Sequence, residues 1–477
     1  MDARPWRRVG AAAAAALLTA LALPLQAHAS SADADYPPTL EQRTAAAAAP
    51  RIVADPTGSA SAVSRHSSVA PIAAAVPAQV AAVVVTGVTS TGAAVRWDAP
   101  SDGGSPITGY HLQLLTGGVV QDELTTDSPT TSAMIFDLQP DTRYEFRVAA
   151  SNAAGSGDFS VPIPFTTEHW SVARIFGGDR FETAVRVSQD AFPSAGVTLG
   201  LVANGLNFPD ALASAAAGGT FGGPVLLTRP SVASTAMLDE LRALEPDYVF
   251  VSGGIASVSE TVRKQVASIA TVDSGRLAGQ SRYGTAAEVS GLWEPNDTVF
   301  LASGMNYPDA LAGAAAAGYR GAPVLLTTRD ALPRETAAAL AYHAPMKLVI
   351  LGGAGSVSDA VISQARIAAG SSPSITRLSG QNRYQTAVAI SKSTFPGTPR
   401  VPVVYLASGT GFADALSGAA AAGFLGGPLL LTSPHSAAES VLEEIKRLDP
   451  VRVVILGGPA AVSETVRIQV EAKLSQR

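Results

Sequence analysis

Arg174-Ile-Phe-Gly-Gly-Asp-Arg180-Phe-Glu-Thr183-Ala returns as Arg276-Leu-Ala-Gly-Gln-Ser-Arg282-Tyr-Gly-Thr285-Ala and again as Arg377-Leu-Ser-Gly-Gln-Asn-Arg383-Tyr-Gln-Thr386-Ala. Two further blocks follow it each time in the same order. The first is Asn207-Phe-Pro-Asp210-Ala-Leu, Asn306-Tyr-Pro-Asp309-Ala-Leu and Gly411-Phe-Ala-Asp414-Ala-Leu; the second is a Gly-Gly turn at Gly253, Gly352 and Gly457. The copies begin about 100 residues apart, whereas solenoid units run to roughly 20–50 residues, so the period is that of a small domain. One chain therefore carries a module in triplicate, over 172–270, 271–370 and 371–477.

Within each copy, helix and strand signals alternate. In the first, 181–191 reads as an amphipathic helix, 199–203 as a strand and 210–218 as an alanine-rich helix. Strand 224–228, helix 231–244, strand 248–252 and a helix beginning near Ser259 complete it. The strands are continuously apolar, as parallel strands covered on both faces must be, so the modules are expected to be α/β with parallel sheets.

Upstream, 78–167 changes to short alternating runs between turn signals, the pattern of a small β-sandwich, with its clearest strands at 83–86, 94–97, 109–115 and 144–150. Its segments Trp97-Asp-Ala-Pro100, Gly103-Gly-Ser-Pro-Ile-Thr-Gly-Tyr110, Leu138-Gln-Pro-Asp-Thr-Arg-Tyr144 and Phe146-Arg-Val-Ala-Ala-Ser-Asn152 resemble a fibronectin type III domain. The resemblance implies that Trp97 fills the core between sheets and that the Tyr144 hydroxyl bonds back to nearby backbone. It assigns both residues to structure. A spacer is the default role for this domain, and binding of a protein partner is the alternative.

At the N-terminus, Arg4, Arg7 and Arg8 precede an apolar run over 9–25 and then Ala27-His-Ala29, the arrangement of a secretory signal over 1–29 with Ser30 opening the mature chain. An uncleaved membrane anchor is the alternative. No later stretch approaches 18 apolar residues free of turn signals, so no membrane contact is expected after cleavage. Residues 30–77 are rich in Ala, Ser and Pro without hydrophobic period and read as a disordered linker.

Composition narrows the chemistry. Apolar residues make up 47% but aromatics only 6%, so Ala and Val must fill the cores by close packing of small side chains. The chain has no cysteine, which removes disulfides, thiolate metal sites and cysteine nucleophiles. His66, His111, His169, His343 and His435 show no metal-ligand spacing, and no cofactor or metal is expected. Net charge is −6, and loss of the leader removes three arginines against one aspartate. A broad basic face for nucleic acid is therefore not expected; only local arginine clusters remain for binding an anion.

Three recurrent elements are candidates for function. Asp210, Asp309 and Asp414 stand where a strand hands over to a helix, suited to capping or, singly, to acid chemistry. Ser259, Ser358 and Ser463 after the Gly-Gly turns read as N-caps. The pairs Arg174/Arg180, Arg276/Arg282 and Arg377/Arg383, next to Phe181, Tyr283 or Tyr384, are the strongest candidates: a guanidinium fork grips carboxylate or phosphate oxygens, and an adjacent ring offers a sugar a flat apolar face. The alternative is structural, with one arginine of each pair bonding carbonyls or a buried carboxylate to tie helix to sheet.

Taken together, the three blocks resemble the cell wall binding repeat 2 family over about residues 172–474. That resemblance implies three α/β modules in pseudo-threefold arrangement, attaching an exported protein non-covalently to an anionic wall polysaccharide or teichoic-acid-like polymer of a Gram-positive bacterium. It places the ligand in grooves between modules, where arginines contribute. The third copy departs from the pattern at Gly411-Phe412-Ala413, so its groove is expected to differ. The reading is a surface-attached binding protein and not an enzyme: one recurrent Asp per copy does not supply the two carboxyls that glycoside hydrolysis requires. A wall glycan hydrolase using those aspartates, or an adhesin acting through the sandwich, are the alternatives.

Overall fold

A computed structural model describes residues 50–54, 74–192, 195–207, 209–397 and 400–476. The expected leader, and the stretch read as linker apart from 50–54 and 74–77, lie outside them. The chain divides into a sandwich unit ending at Ser171 and a three-lobed unit beginning at Val172.

Among the described residues the sandwich has nine strands: β1 (Arg51–Ala54), β2 (Val83–Thr86), β3 (Ala93–Trp97), β4 (Gly109–Thr116), β5 (Val119–Thr125), β6 (Ser132–Phe136), β7 (Arg143–Asn152), β8 (Gly155–Ser156) and β9 (Ile163–Thr166). One sheet runs β1-β6-β3-β2; the other runs β5-β4-β7-β8, with β9 also on β7. Trp97, Tyr110 and Phe146 are buried between them, with the Trp97 and Tyr110 rings edge-on at 5.2 Å. The Tyr144 hydroxyl accepts the Gln139 N–H at 3.0 Å, the corner the resemblance implied. Strand β1 is a correction. It lies inside the stretch read as disordered, yet it pairs antiparallel with β6 and buries Ile52 in the core. Four residues were too few to show a period, and a free sheet edge offers even a short aliphatic run a complete ladder.

Each lobe contains a four-stranded sheet. In lobe 1, β11 (Leu199–Asn204), β12 (Val225–Thr228) and β13 (Tyr248–Ser252) are joined by β14 (Asp273–Leu277) in the order β12-β11-β13-β14, all parallel. Lobe 2 repeats this with β15 (Thr298–Ser303), β16 (Val324–Thr327), β17 (Lys347–Leu351) and β18 (Ser374–Leu378). Lobe 3 contains β19 (Val403–Ser408), β20 (Leu429–Thr432) and β21 (Arg452–Leu456). Their fourth partner is β10 (Ser171–Ile175), from the start of the three-lobed unit. The fourth strand of each lobe thus belongs to the next sequence copy, and the third lobe is closed by the first.

Helices α1 (Arg180–Ala191), α5 (Arg282–Ser290) and α9 (Arg383–Thr394) open the three lobes, and α2 (Pro209–Phe221), α6 (Pro308–Arg320) and α10 (Ala413–Leu425) are the alanine-rich helices. The latter three pack on one another around a pseudo-threefold axis. Small residues make this possible: a Cβ on Gly219 would lie 3.0 Å from Gly318 Cα and 3.3 Å from Gly423 Cα. Each also packs on the opening helix of the next lobe, α2 on α5, α6 on α9 and α10 on α1. An aromatic pair fills each of these seams: Phe221 with Trp293, Tyr319 with Phe395 and Phe424 with Phe192, all with centroids near 5 Å. The remaining helices are α3 (Thr235–Leu244), α4 (Glu260–Ala267), α7 (Arg334–His343), α8 (Asp359–Ala369), α11 (Glu439–Leu448) and α12 (Glu464–Leu474).

Candidate ligand-binding seams

The two arginines of each pair separate by role. Arg174 lies on β10, and its Nη1 donates to the carbonyls of Gly457 at 3.0 Å and Val462 at 2.7 Å. Arg276 on β14 donates to Gly253 at 2.7 Å, and Arg377 on β18 to Gly352 at 3.0 Å and Val357 at 2.8 Å. Each also meets the first-turn carboxylate of the helix after the turn: Glu464, Glu260 and Asp359 respectively. These three guanidinium groups fasten the fourth strand to the Gly-Gly turn, the arrangement of the structural alternative for one arginine of each pair. A buried carbonyl at a turn needs a donor, and the fork supplies several at once.

Arg180, Arg282 and Arg383 are the first residues of α1, α5 and α9, behind the N-caps Asp179, Ser281 and Asn382. Each donates through Nη1 to the carbonyl of the glycine that follows the lobe's first strand: Gly205 at 2.9 Å, Gly304 at 2.6 Å and Gly409. That bond uses one of five donors. The adjacent rings press edge-on against the same glycines, where a Cβ would lie 2.7 Å from Phe181, Tyr283 or Tyr384. Phe181 is buried, and the Arg229 guanidinium sits 4.6 Å above its ring. That guanidinium covers a face of the Phe181 ring, whereas Tyr283 and Tyr384 are half-buried.

Across each seam stands the aspartate of the alanine-rich helix. Asp210, Asp309 and Asp414 occupy the second helical position and are not N-caps. Their carboxylates turn instead toward the Gly-Gly turn: a Cβ on Gly253 or Gly352 would sit 2.3 Å from Oδ2 of Asp210 or Asp309, and one on Gly457 2.5 Å from Oδ2 of Asp414. With φ near +100° at these glycines, no other residue fits the position without strain. Ser257 donates to Asp210 at 2.8 Å and Ser356 to Asp309 at 3.2 Å, whereas Ala461 leaves Asp414 without that bond. Burial pushes the carboxyls of Asp309 and Asp414 above the ordinary range. Ser356, Thr386 and Arg383 pull the first back down, and Arg180 and Thr183 the second, so the arginine and threonine that open one lobe reach the aspartate of the lobe before it.

The seam between lobes 3 and 1 is an open cleft of about 510 Å³, lined by Arg180, Thr183, Thr410, Phe412 and Asp414 among others. The Arg180 guanidinium lies 5.5 Å from the centroid of Phe412, the aromatic residue kept between Gly411 and Ala413, which depart from the repeat pattern. The N-cap role of Ser259 and Ser358 is as expected, with bonds to the Val262 and Val361 N–H groups, while Ser463 makes no such bond. Sequence reasoning gave no role to Thr183, Thr285 and Thr386, whose hydroxyls accept the N–H of Gly177, Gly279 and Gly380 and fix the loop before each arginine. Their invariance across the three copies was the available signal.

Three lobes thus close a ring around one axis, and at two of its seams the arginine that opens one lobe reaches the aspartate of the lobe before it. Comparison with known proteins agrees: the chain belongs to the cell wall binding domain 2 family, which it matches over residues 174–263, 276–362 and 377–467, and it carries a fibronectin type III domain over 78–166. Family membership makes the three-lobed unit a cell-wall-attaching one. Among curated proteins the chain is similar to the N-acetylmuramoyl-L-alanine amidase LytC of Bacillus subtilis, 27% identical over 65% of this chain and 60% of that protein. It is also similar to the amidase enhancer of the same bacterium, 28% identical over 57% of this chain and 36% of that protein. It therefore spans less than two thirds of either relative. Among solved structures, Cwp6 from Clostridium difficile aligns over 83% of this chain and 68% of its own, with a TM-score of 0.61 at 19% identity, which shows the fold. Cwp8 from the same organism aligns over 83% and 80%, with a TM-score of 0.58 at 17% identity.

Proposed function

We propose that the protein is exported and held non-covalently on a Gram-positive wall by an anionic polymer lying in the seams. Arg180, Arg282 and Arg383 are the charged contacts, Tyr283 and Tyr384 flank two of them, and the sandwich is a spacer. The observation that carries this reading is the division of the arginine pairs: one member is spent on backbone carbonyls, and the other stands at a helix N-terminus on a seam, where the helix dipole adds to its attraction for anions. Sedimentation of the mature chain with purified walls tests it. Binding is expected to weaken with salt. The triple variant Arg180→Ala, Arg282→Ala, Arg383→Ala is expected to stay in the supernatant while keeping its circular dichroism spectrum; full binding by a folded triple variant would overturn the assignment.

One observation favours a second reading, wall glycan hydrolysis: Asp179 and Asp414 line the same cleft. Against it, Asp179 Oδ1 already accepts the N–H groups of Phe181 and Glu182, and Ser281 and Asn382 hold its place at the other seams. We read the chain as a binding protein on that ground. Release of new reducing ends from walls, abolished by Asp414→Asn, would reverse the choice.

A further inference from the structure

Strand β1 is joined to the rest of its sandwich in an unusual way. It lies at the edge of its sheet, paired only to β6 within it, in the register Arg51↔Phe136, Ile52↔Ile135, Val53↔Met134 and Ala54↔Ala133. Ile52 is 5% exposed and belongs to the core, and its N–H donates to Asp122 Oδ2 at 2.6 Å on the opposite sheet. Arg51 pairs with Asp137 at 2.8 Å and lies 5.9 Å from the centroid of the Phe136 ring. These contacts amount to a small binding site: one aliphatic pocket, one carboxylate for a backbone N–H, and an acid–aromatic pair for a cation. Pro50 and Pro56 bracket the segment in sequence, which limits the ladder to these few residues, since proline has no N–H to donate.

The ligand of this site is tethered over a long span. Residues 55–73 separate β1 from the next described residue, Ala74. A chain of that length reaches at most about 65 Å, enough to seat the strand on its own sandwich or on a neighbouring one. Exchange of an identical element between copies keeps every contact and therefore costs little beyond association. We propose that Arg51–Ala54 is an exchangeable strand, closing the β6 edge of its own sandwich in dilute protein and that of a second copy when chains are crowded. The partner of the sandwich is then another copy of this chain, recognised by an extended Arg-aliphatic-x-small segment laid antiparallel on β6.

Absence of cysteine from the sequence makes the test specific. Val53 and Met134 are opposed in the ladder, at a spacing that antiparallel pairs share with disulfides. The full chain carrying both Val53→Cys and Met134→Cys is oxidised at low concentration and is expected to give a crosslink within one chain; failure to crosslink at all would overturn the pairing. The two single variants are then mixed and oxidised at rising concentration. A disulfide joining position 53 of one copy to position 134 of the other, identified by peptide mass, is expected to rise at least tenfold on approach to about 1 mM, the order of concentration at which a strand from another copy competes with a tethered one. Adding Ile52→Asp to the Val53→Cys copy is expected to abolish it. If the double variant crosslinks internally while the mixture gives no 53–134 product at any concentration, the strand is a fixed part of its own sandwich and exchange is excluded.

Discussion

Lobes 1 and 2 are each completed by the residues that follow them, whereas lobe 3 is completed by residues that precede lobe 1. In the first two, the chain runs from α4 or α8 directly into the fourth strand, β14 or β18. In lobe 3 the place of that strand beside β21 is taken by β10, which precedes α1 in the chain. The Gly457 N–H donates to the Ile175 carbonyl at 2.9 Å, as Gly253 does to Leu277 and Gly352 to Leu378 at 2.8 Å. The lesson is that the sequence repeat and the folded lobe are offset by one strand, and the offset converts three tandem units into a closed ring. Its last seam has an added clamp, Arg452 forked on Asp190 at 2.6 and 3.1 Å, where Tyr248 and Lys347 stand in lobes 1 and 2. Lobe 3 thus depends on contacts of the greatest sequence separation in the ring and is expected to form last.

Deleting Ser171–Ile175 separates the two accounts most sharply. If the sequence repeat were the folding unit, lobe 1 would be damaged; the observed pairing places the damage in lobe 3. Hydrogen exchange is expected to lose protection over β19, β20 and β21 and to keep it over β11, β12 and β13. Arg174→Ala is the point version, removing two charge-assisted bonds to buried carbonyls, at a cost of about 3 kcal/mol or more. Loss of protection confined to lobe 1 would refute the completion of lobe 3 by β10.

A second asymmetry sets lobe 2 apart. His343 ends α7 where Leu244 ends α3 and Leu448 ends α11, and it is 3% exposed. Burial pushes its pKa down from 6.5 to about 4, with the backbone of Glu294 and Ser290 opposing only in part. The unfolded chain takes up this proton near pH 6.5 and the folded chain only near 4. Between those values the unfolded state binds more protons, so stability falls as pH is lowered through that window, by about 3 kcal/mol in all. Asp309 and Asp414 act in the opposite sense, because their raised folded pKa values make folding more favourable as pH falls. The comparison must therefore be with His343→Leu: urea unfolding at pH 7 and pH 4.5 is expected to show a drop in the parent that the variant largely lacks. Equal drops in both would sink it.

Much of this architecture was legible because small parallel modules write strong signals. Continuous runs such as Val-Leu-Leu-Thr are buried on both faces, and the alanine-rich helices lack any bulky side because they meet on an axis. The fourth strands were not legible. Ser171–Ile175, Asp273–Leu277 and Ser374–Leu378 are short, polar and half-exposed edge strands whose pairing partner lies in another copy. Missing them left open which arginine of each pair is the structural tie, since a side chain that ties strand to turn looks in sequence like one awaiting a ligand. The same blindness applied to the aspartates: the second helical position and the glycine behind it are facts of three dimensions. The recurrent Thr183, Thr285 and Thr386 carried a signal without a geometry to interpret it.

The subtlest difference between lobes is a matched change of size. In lobe 1, Ser214 on α2 and Ser252 on β13 share a hydrogen bond of 2.6 Å in the core. Lobe 2 has Gly313 and Leu351 at these places, and lobe 3 has Gly418 and Leu456; a Cβ on either glycine would sit 2.1 Å from the leucine Cδ1. A large residue on the strand is therefore tolerated only opposite a glycine on the helix. Gly313→Ser alone is expected to destabilise by about 1–3 kcal/mol through overpacking, and Leu351→Ser alone by about 2–5 kcal/mol through the lost burial and the cavity. Together they rebuild lobe 1's pair inside lobe 2, so the double variant is expected to be more stable than the sum of the single losses by about 1–3 kcal/mol. A double-mutant cycle from thermal unfolding measures this directly. Simple additivity would mean that the two positions are not coupled, and that the lobes differ there without compensation.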